Sequence, residues 1–210
     1  MKFRKINNIF FVGICGIGMS GIAELLHNLS FSISGSDMNK NENVVRLQKT
    51  GIKVSIGHDP NNINGIDALV YSSAIPMENP EIIRARQKGI PVIRRAEMLG
   101  ELITVKETSI AVGGTHGKTT TSSMIGTILH HAKKEPTLVV GGLVQNFNSN
   151  SNFGKGEIIV VEADEFDRSF LALKPTISVV TNIELEHTDC YNNLKDLKDP
   201  RDGKPLFGED

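Results

Sequence analysis

A glycine-rich segment closed by a lysine and a threonine has the residue types that bind the phosphates of a nucleoside triphosphate. It reads Val-Gly-Gly-Thr-His-Gly-Lys-Thr-Thr-Thr over residues 112–121. We expect a strand to end near Val112 and a helix to begin near Lys118, so that free backbone N–H groups and the positive end of the helix dipole face a phosphate. Lys118 would contact the β- and γ-phosphate oxygens, and the Thr119 hydroxyl would bind Mg²⁺. The segment therefore predicts binding of ATP or GTP.

This segment departs from the G-x-x-x-x-G-K-[ST] phosphate-loop pattern at its first position. Val112 stands where the first glycine is expected, and Gly113 and Gly114 follow it. The sequence therefore predicts a variant loop. A plain strand-to-helix turn with a surface lysine is the alternative, but the apolar run before the segment and the helical pattern after it favour the phosphate loop.

Polar and acidic residues follow two further apolar runs in the second half of the chain. Glu162 follows the run at 158–161, and the run at 177–181 is followed by Asn182, Glu184, Glu186, His187 and Asp189. Because the carboxyl ends of parallel strands meet at one edge of a sheet, we expect these residues beside the phosphate loop. Carboxylate oxygens suit Mg²⁺, whereas an isolated histidine such as His187 more often caps or hydrogen-bonds. The polar neighbours of His187 favour a functional role.

A second glycine turn lies near the start of the chain. It reads Gly-Ile-Cys-Gly-Ile-Gly over residues 13–18, between an apolar run and a helical pattern, where Rossmann-type domains bind a pyrophosphate. Asp37 stands where an acid that binds a ribose is expected, although a turn or helix cap is the alternative role. Cys15 replaces the middle glycine, and hydride transfer would not need a separate triphosphate loop. NAD therefore stays an alternative to a diphosphate on another nucleotide.

The alternation of short apolar runs with helical stretches predicts parallel sheets wrapped by helices. In a first series we expect strands at residues 8–12, 31–34, 53–56, 68–71 and 91–93, and helices at 20–29, 43–50 and 80–88. In a second series we expect strands at 109–112, 137–140, 157–161 and 177–181. A helix after Lys118 would carry Met124, Ile125, Ile128 and Leu129 on one face. The polar segment at 145–156 is expected to be an exposed loop.

Composition limits the classes of partner and compartment. With 210 residues, 39% apolar and 22% charged, the chain can form one large or two smaller cores. A net charge of −1 and the lack of a long basic run give no electrostatic footprint for nucleic acid or an anionic membrane. The apolar run at 9–12 is too short for a signal peptide, so we expect a cytoplasmic protein. Cys15 and Cys190 lack the spacing of a disulfide framework or a zinc site.

Taken together, these segments resemble the ATP-dependent Mur ligases of peptidoglycan synthesis. In the second half the resemblance is carried by residues 114–121, 162–165 and 181–184, with His187 and Asp189. In the first half it is carried by residues 16–23, 34–37, 72–75 and 95–99, which are similar to those of the members that join L-alanine to UDP-N-acetylmuramate. It extends from Ile9 to about Leu197.

The resemblance implies an α/β fold with a Rossmann-like parallel-sheet domain over residues 1–105, which binds the UDP-sugar, and a partial P-loop ATP-binding domain over 106–198. The UDP-sugar site would comprise Gly16, Gly18, Asp37, Ser72 and Ser73. The ATP site would comprise Gly114, Thr115, His116, Gly117, Lys118, Thr119, Thr120 and Asn182. The implied catalytic residues are Lys118, Glu162 and His187, and the implied Mg²⁺ ligands are Thr119, Glu162 and His187.

The implied cofactors are ATP and Mg²⁺, and the implied substrates are UDP-N-acetylmuramate and L-alanine, with neither nucleic acid nor a membrane as a partner. The lactyl carboxylate of the sugar would attack the γ-phosphorus, with Lys118 and Mg²⁺ stabilising the developing charge. The amine of L-alanine would then attack the resulting acyl phosphate. This chemistry needs no enzyme nucleophile.

Three departures from the family pattern leave alternatives open. Cys15 stands where the alanine ligases have glycine. A cysteine at this position resembles the pattern of the related ligase that attaches a recycled tripeptide to the same sugar nucleotide. Glu186 replaces the usual aspartate before the histidine. The pattern stops near Lys198, and we expect residues 199–210 to be irregular. We therefore expect a truncated chain that binds nucleotides without completing ligation, and a non-catalytic fragment or a nicotinamide oxidoreductase stays an alternative.

Overall fold

The protein folds as two compact units, each built on a five-stranded sheet. The computed structural model describes residues 6–144, 149–164 and 170–184. Unit 1 is Met1–Met98 and unit 2 is Leu99–Asp210. The division lies within a helix, α4 (Arg95–Ile103), which the sequence pattern did not predict. The domain boundary at residue 105 stays a prediction.

Unit 1 is a parallel sheet with helices between its strands, as predicted. Its elements are β1 (Asn8–Val12), α1 (Ile17–Asn28), β2 (Ser32–Asp37), α2 (Glu42–Lys49), β3 (Lys53–Ile56), β4 (Ala68–Tyr71), α3 (Pro80–Gln87) and β5 (Val92–Arg94). The strand order is β3-β2-β1-β4-β5, and every neighbouring pair is parallel. The Rossmann-like fold class of the first domain is thereby confirmed.

The core of unit 1 explains why its central strands are apolar along their whole length. Both faces of a parallel sheet are covered by helices, so successive residues of β1 and β4 are all buried or nearly so. One core cluster joins Phe10, Val12, Leu69, Tyr71, Ile63, Ile82 and Ala85. The strands β1 and β4 therefore form a rigid platform from whose carboxyl ends the loops of the unit emerge.

The helices of unit 1 differ in how they begin. Asn41 caps α2 by accepting from the N–H of Val44 at 3.2 Å, and Asn79 caps α3 by accepting from the N–H groups of Glu81 and Ile82. By contrast, α1 begins after Gly16, which makes no side-chain cap hydrogen bond. The N–H of Met19 donates to the Gly16 carbonyl at 3.0 Å, whereas those of Ile17 and Gly18 have no carbonyl partner within the helix.

Unit 2 has a mixed sheet with one long helix against it. Its elements after α4 are β6 (Thr108–Gly113), α5 (Lys118–His131), β7 (Thr137–Val144), β8 (Ser149–Asn152), β9 (Ile158–Glu162) and β10 (Ile177–Val180). The strand order is β10-β6-β9-β7-β8. All pairs are parallel except β7 and β8, which are antiparallel. The predicted second α/β domain is confirmed.

The expectation of a loop throughout residues 145–156 is wrong where β8 forms. This strand has the sequence Ser-Asn-Ser-Asn, which carries none of the apolar alternation from which strands are recognised. Its residues nevertheless pair with β7, for example Asn152 with Leu138. Backbone pairing at a sheet edge needs no apolar side chain, so the residue pattern gave no indication of it.

Only half of the predicted apolar face of α5 packs against the sheet. Ile125 and Leu129 contact the core of unit 2, whereas Met124 and Ile128 are 59% and 64% exposed. The reason is Gly126, where an added Cβ would lie 2.9 Å from the Leu138 Cδ1 atom. The helix therefore approaches the sheet along its small residues.

Among the residues that the structure describes, no helix is both long and apolar enough to cross a membrane.

We predict that Gly35→Ala lowers the free energy of unfolding by about 1–3 kcal/mol, the usual cost of overpacking. A Cβ on Gly35 would lie 2.5 Å from the Phe11 carbonyl oxygen and 2.7 Å from the Ile14 Cδ1 atom. Urea unfolding followed by circular dichroism measures the change. The control is Ser32→Ala at an exposed position of the same strand, expected to change stability by less than about 0.5 kcal/mol. Equal stability of the two variants would contradict the close packing of β2 on β1.

Candidate functional site

The loop between β6 and α5 has the geometry of an anion-binding turn. Gly114 and Gly117 have φ values of 126° and 81°, in the region that favours glycine. Gly117 directly precedes α5, and a Cβ on it would find no heavy atom within 4 Å. The space beside the helix N-terminus is therefore open. The first-turn N–H groups, such as those of Thr119 and Thr120, have no carbonyl partner within the helix, so the loop fits a phosphate.

The ammonium group of Lys118 lies over this same loop. Its Nζ atom donates to the carbonyl oxygens of Gly114 at 2.6 Å and of Thr115 at 3.1 Å. A phosphate at the turn would attract the ammonium more strongly than these neutral carbonyls, because hydrogen bonds between ionised groups are the stronger ones. Thr119 is half-buried and Thr120 exposed at the start of the helix. The predicted phosphate-binding residues are thus assembled in one turn.

Residues 181–184, which follow β10, hold the loop in place, and we call them the clamp. The Thr115 N–H donates to the Asn182 carbonyl at 3.1 Å. The Thr115 hydroxyl donates to the Glu184 carbonyl at 3.1 Å and accepts from the Glu184 N–H at 2.9 Å. The Asn182 side chain accepts from the His116 N–H at 2.9 Å and donates to the His116 carbonyl at 3.2 Å. The N–H groups of Thr115 and His116 are therefore bonded to the protein.

The clamp also explains why the glycine pattern of the loop is a variant. Val112 is fully buried in β6 and pairs with Glu162 of β9, so the first pattern position belongs to the sheet. The clamp approaches the loop closely two residues later, where a Cβ on Gly114 would lie 2.3 Å from the Thr181 Oγ1 atom. The Thr181 hydroxyl itself donates to the His116 carbonyl at 2.6 Å. Gly114 is therefore required by the neighbouring segment.

Glu162 ends β9 beside the helix that follows the loop. Its Oε2 atom accepts from the Gly141 N–H at 2.8 Å, and its Oε1 atom lies 3.4 Å from the Ser122 hydroxyl oxygen. Ser122 in turn donates to the Lys118 carbonyl in the first turn of α5. A Cβ on Gly141 would lie 2.6 Å from the Glu162 Oε2 atom, so glycine at this position lets the carboxylate stay where it is.

These oxygen donors are of the kind that Mg²⁺ prefers, but the structure shows only part of the predicted ligand set. Glu162 and Thr119 lie at the edge of the sheet beside the loop. The described residues contain no group of three or more His, Cys, Asp or Glu that could hold a metal ion. His187, the third predicted ligand, lies outside the described residues, as do Glu186, Asp189 and residues 199–210.

The topology of unit 2 brings its three predicted segments to one edge. The strands β10, β6 and β9 are neighbours and parallel. Their carboxyl ends lead into the clamp, the phosphate loop and Glu162, respectively. The expectation that these polar residues meet beside the loop is therefore confirmed for Asn182, Glu184 and Glu162. The roles of Asn182 toward a nucleotide and of Glu162 toward a metal stay predictions.

The first glycine turn lies at the corresponding place in unit 1. The N–H groups of Gly13 and Ile14 donate to the Ser36 carbonyl at 2.9 and 3.1 Å. The sheet order places β1 next to β4, where the order of strands reverses and ligands of α/β sheets commonly bind. A Cβ on Gly13 would lie 3.6 Å from the Cβ atom of Ser72, the residue after β4. The turn and the predicted serine pair are therefore side by side.

Asp37 binds the glycine turn itself. Its Oδ2 atom accepts from the Cys15 N–H at 2.9 Å, and its Oδ1 atom accepts from the Asn39 N–H at 3.2 Å. Burial, and secondarily the charge and hydrogen bond of Asp37, raise the pKa of the Cys15 thiol to about 12. The thiol therefore stays protonated, which disfavours a role as a nucleophile. The contact of Asp37 with a ribose stays a prediction.

The sequence motifs assigned no role to two residues of unit 1. Arg95 has its guanidinium group against α1, since a Cβ on Gly18 would lie 2.9 Å from its Nη1 atom. A cation therefore lies beside the helix N-terminus at which a diphosphate is predicted. Glu81 is fully buried among polar partners. The only indication of Arg95 in the sequence was the segment 95–99, and no motif indicated Glu81.

Comparisons with known proteins agree with this arrangement. The model described as the Mur ligase family, catalytic domain, matches residues 8–107, and that of the Mur ligase middle domain matches residues 112–200. The chain is 51% identical to UDP-N-acetylmuramate–L-alanine ligases of Persephonella marina and Geotalea daltonii, over 194 and 197 residues. These matches cover 92% and 94% of this chain, and 42% and 43% of the relatives. The chain thus spans less than half the length of these relatives.

Solved structures show the same fold. The UDP-N-acetylmuramate-alanine ligase of Thermotoga maritima superposes with a TM-score of 0.84 at 32% identity, covering 91% of this chain and 45% of that one. The UDP-N-acetylmuramate:L-alanyl-γ-D-glutamyl-meso-diaminopimelate ligase of Neisseria meningitides superposes with a TM-score of 0.84 at 26% identity, covering 92% of this chain and 65% of that one. Both are similar to this chain across both of its units.

We predict that Asn182→Ala speeds hydrogen exchange at the His116 amide by about fivefold, because that N–H loses its side-chain acceptor and a single hydrogen bond contributes about 1 kcal/mol. Exchange measured by mass spectrometry on the loop peptide tests this. The control is Asn152→Ala, which removes a side-chain hydrogen bond to the Pro136 carbonyl in the same unit. An unchanged exchange rate in Asn182→Ala would contradict the clamp.

We predict that Cys15 is alkylated by iodoacetamide at pH 8 far more slowly in the folded chain than in urea. Its pKa of about 12 leaves almost no thiolate at that pH. Replacing Asp37 by asparagine removes a charge that raises this pKa, so the rate should increase several-fold. Mass spectrometry in a Cys190→Ser background measures the rate, with Glu42→Gln at an exposed position of α2 as the control. Equal rates in Asp37→Asn and its parent would contradict the Asp37 contribution.

Proposed function

The chain belongs to the Mur ligase family, and on that premise we propose that it serves an ATP-dependent, ADP-forming ligation of L-alanine to UDP-N-acetylmuramate. Unit 1 would bind the sugar nucleotide, and unit 2 would bind ATP. The observation that carries the proposal is the loop before α5. There Lys118 lies over a glycine turn at an open helix N-terminus, with Glu162 at the end of the neighbouring strand.

The residues of unit 2 suit the first chemical step. The lactyl carboxylate of the sugar attacks the γ-phosphorus of ATP, the bond to the β,γ-bridging oxygen breaks, and ADP leaves. Lys118 would stabilise the negative charge on the transferring phosphoryl group, and the N–H groups at the start of α5 would hold the phosphates. Thr119, Glu162 and His187 would hold Mg²⁺, which would supply positive charge against the phosphates.

The second step needs positioning rather than an enzyme nucleophile. The free amine of L-alanine attacks the acyl phosphate carbonyl, a tetrahedral intermediate forms, and inorganic phosphate leaves to give the amide. The carbonyl has already been activated by phosphorylation, so the protein contributes orientation and charge stabilisation. The protonated, buried thiol of Cys15 has no part in this chemistry.

In unit 1 the diphosphate of the sugar nucleotide would lie at the start of α1. Gly16, Gly18 and the serine pair Ser72 and Ser73 would line the site, and Asp37 would contact the ribose. Arg95 would add a positive charge beside the diphosphate. The absence of a side-chain cap on α1 supports this, because the N–H groups of Ile17 and Gly18 can then bind phosphate oxygens. ATP and UDP-sugars are cytoplasmic metabolites, so we infer a cytoplasmic location.

A ligase that attaches a tripeptide to the same sugar nucleotide is the second candidate. Cys15 in the glycine turn favours it, and a tripeptide ligase is among the solved structures similar to this chain. The 51% identity to relatives named as alanine ligases favours the first candidate. A nicotinamide oxidoreductase would be distinguished by tight binding of NAD and indifference to UDP-sugars.

We predict that Lys118→Ala weakens binding of a non-hydrolysable ATP analogue with Mg²⁺ by at least about tenfold, equivalent to roughly 1.4 kcal/mol. Binding of UDP-N-acetylmuramate should be unchanged, because its site lies in unit 1. Isothermal titration calorimetry measures both affinities. Lys134→Ala, at an exposed lysine of the same unit, is the control and should bind both ligands like the parent chain. Unchanged ATP binding in Lys118→Ala, or tight binding of NAD by the parent chain, would overturn the proposal.

A further inference from the structure

Glu81 is a fully buried carboxylate outside both nucleotide sites. Its Oε2 atom accepts from the Ser36 hydroxyl at 2.6 Å and lies 2.9 Å from the His58 Nδ1 atom. Its Oε1 atom accepts from the Asn62 side-chain amide at 2.8 Å and from the Asp59 N–H at 3.3 Å. The Ser36 hydroxyl oxygen also lies 3.0 Å from the His58 Nδ1 atom, so these three side chains form one cluster. Burial of this polar side chain is tolerated because both of its oxygens have hydrogen-bond partners.

These partners come from separate parts of unit 1. Ser36 belongs to the end of β2, and His58, Asp59 and Asn62 lie in the connection between β3 and β4. Glu81 itself lies in the first turn of α3, where the helix dipole also favours a negative charge. One side chain therefore fixes the end of a strand and a connecting segment against a helix.

The same strand end holds the glycine turn. The Ser36 carbonyl accepts from the N–H groups of Gly13 and Ile14, while the Ser36 hydroxyl donates to Glu81. The next residue, Asp37, accepts from the Cys15 N–H. The backbone of the turn is thus bonded to Ser36 and Asp37, and Ser36 is bonded in turn to Glu81.

We propose that Glu81 is a positioning residue for the sugar-nucleotide site of unit 1. It fixes Ser36 and Asp37, and through them it sets the direction of the backbone N–H groups around the glycine turn. Hydrogen bonds from N–H groups to phosphate weaken steeply when they are misaligned, so a small shift of the turn reduces affinity. Glu81 has no exposed surface and acts without touching the ligand. This inference rests on the proposed function of unit 1.

The first test is the variant Glu81→Gln, studied in the full chain by calorimetry. Glutamine keeps the size of the side chain, but its NH₂ group replaces one of the two accepting oxygens. A donor then faces the donor groups that this oxygen accepted from. The Kd for UDP-N-acetylmuramate should rise about tenfold or more, and the Kd for the ATP analogue, whose site lies in unit 2, should stay unchanged. Glu78→Gln, three residues earlier at an exposed position, should leave both values unchanged.

A second variant separates positioning from general stability. Ile82→Val alters a fully buried residue of the same helix that belongs to the apolar core. It should lower the melting temperature without changing the Kd for the sugar nucleotide. The backbone amide resonances of Gly13 and Cys15 should shift in Glu81→Gln and stay in place in Ile82→Val. An equal loss of sugar-nucleotide affinity in the two variants at equal loss of melting temperature would show a merely structural role and overturn the proposal.

If Glu81→Gln does not fold, Ser36→Ala decides. It removes only the hydroxyl that donates to Glu81 and keeps the carbonyl that binds the turn, so a several-fold rise in the Kd for UDP-N-acetylmuramate supports the proposal and an unchanged Kd overturns it. A folded Glu81→Gln that binds the sugar nucleotide like the parent chain also overturns it. Failure of the parent chain itself to bind UDP-N-acetylmuramate would instead reject the proposed function of unit 1, and this inference with it.

Discussion

The structure depends on one constraint, which is that backbone N–H groups at two glycine turns must be oriented by the protein while those at the helix starts stay available. Both turns precede helices whose N-caps, Gly16 and Gly117, make no side-chain hydrogen bond. Both are held from the side by residues at the end of a neighbouring strand or directly after it. In unit 1 the holding residues are Ser36 and Asp37, and in unit 2 they are residues 181–184.

The same constraint accounts for residue types that motifs alone leave unexplained. Gly114 has to lack a side chain because Thr181 approaches it, and Gly141 has to lack one because the Glu162 carboxylate binds its N–H. Asn182 has a side chain that can donate and accept at once, and it uses both functions on the backbone of His116. Polar residues at the edge of the sheet therefore shape the loop itself.

Sequence reasoning recovered what depends on neighbours along the chain and lost what depends on distant ones. The bounds of β1, β3 and β4 and the position of the phosphate loop follow from apolar runs and glycine spacing, and the structure agrees with them. The pairing of Ser36 with Glu81, 45 residues apart, has no local pattern. The polar strand β8 has no local pattern either. The same holds for the rotation of α5 that exposes Met124 and Ile128, because the fit of Gly126 against Leu138 sets that rotation.

The clamp also bears on the order in which the protein matures during synthesis. Thr115 and Glu184, which bond to each other twice, are separated by 69 residues. A nascent polypeptide released only as far as β9 would contain every glycine of the loop and still lack the partners of Thr115 and His116. Because contacts of large sequence separation form late, the phosphate loop acquires its clamp only after β10 has emerged from the ribosome and joined the sheet.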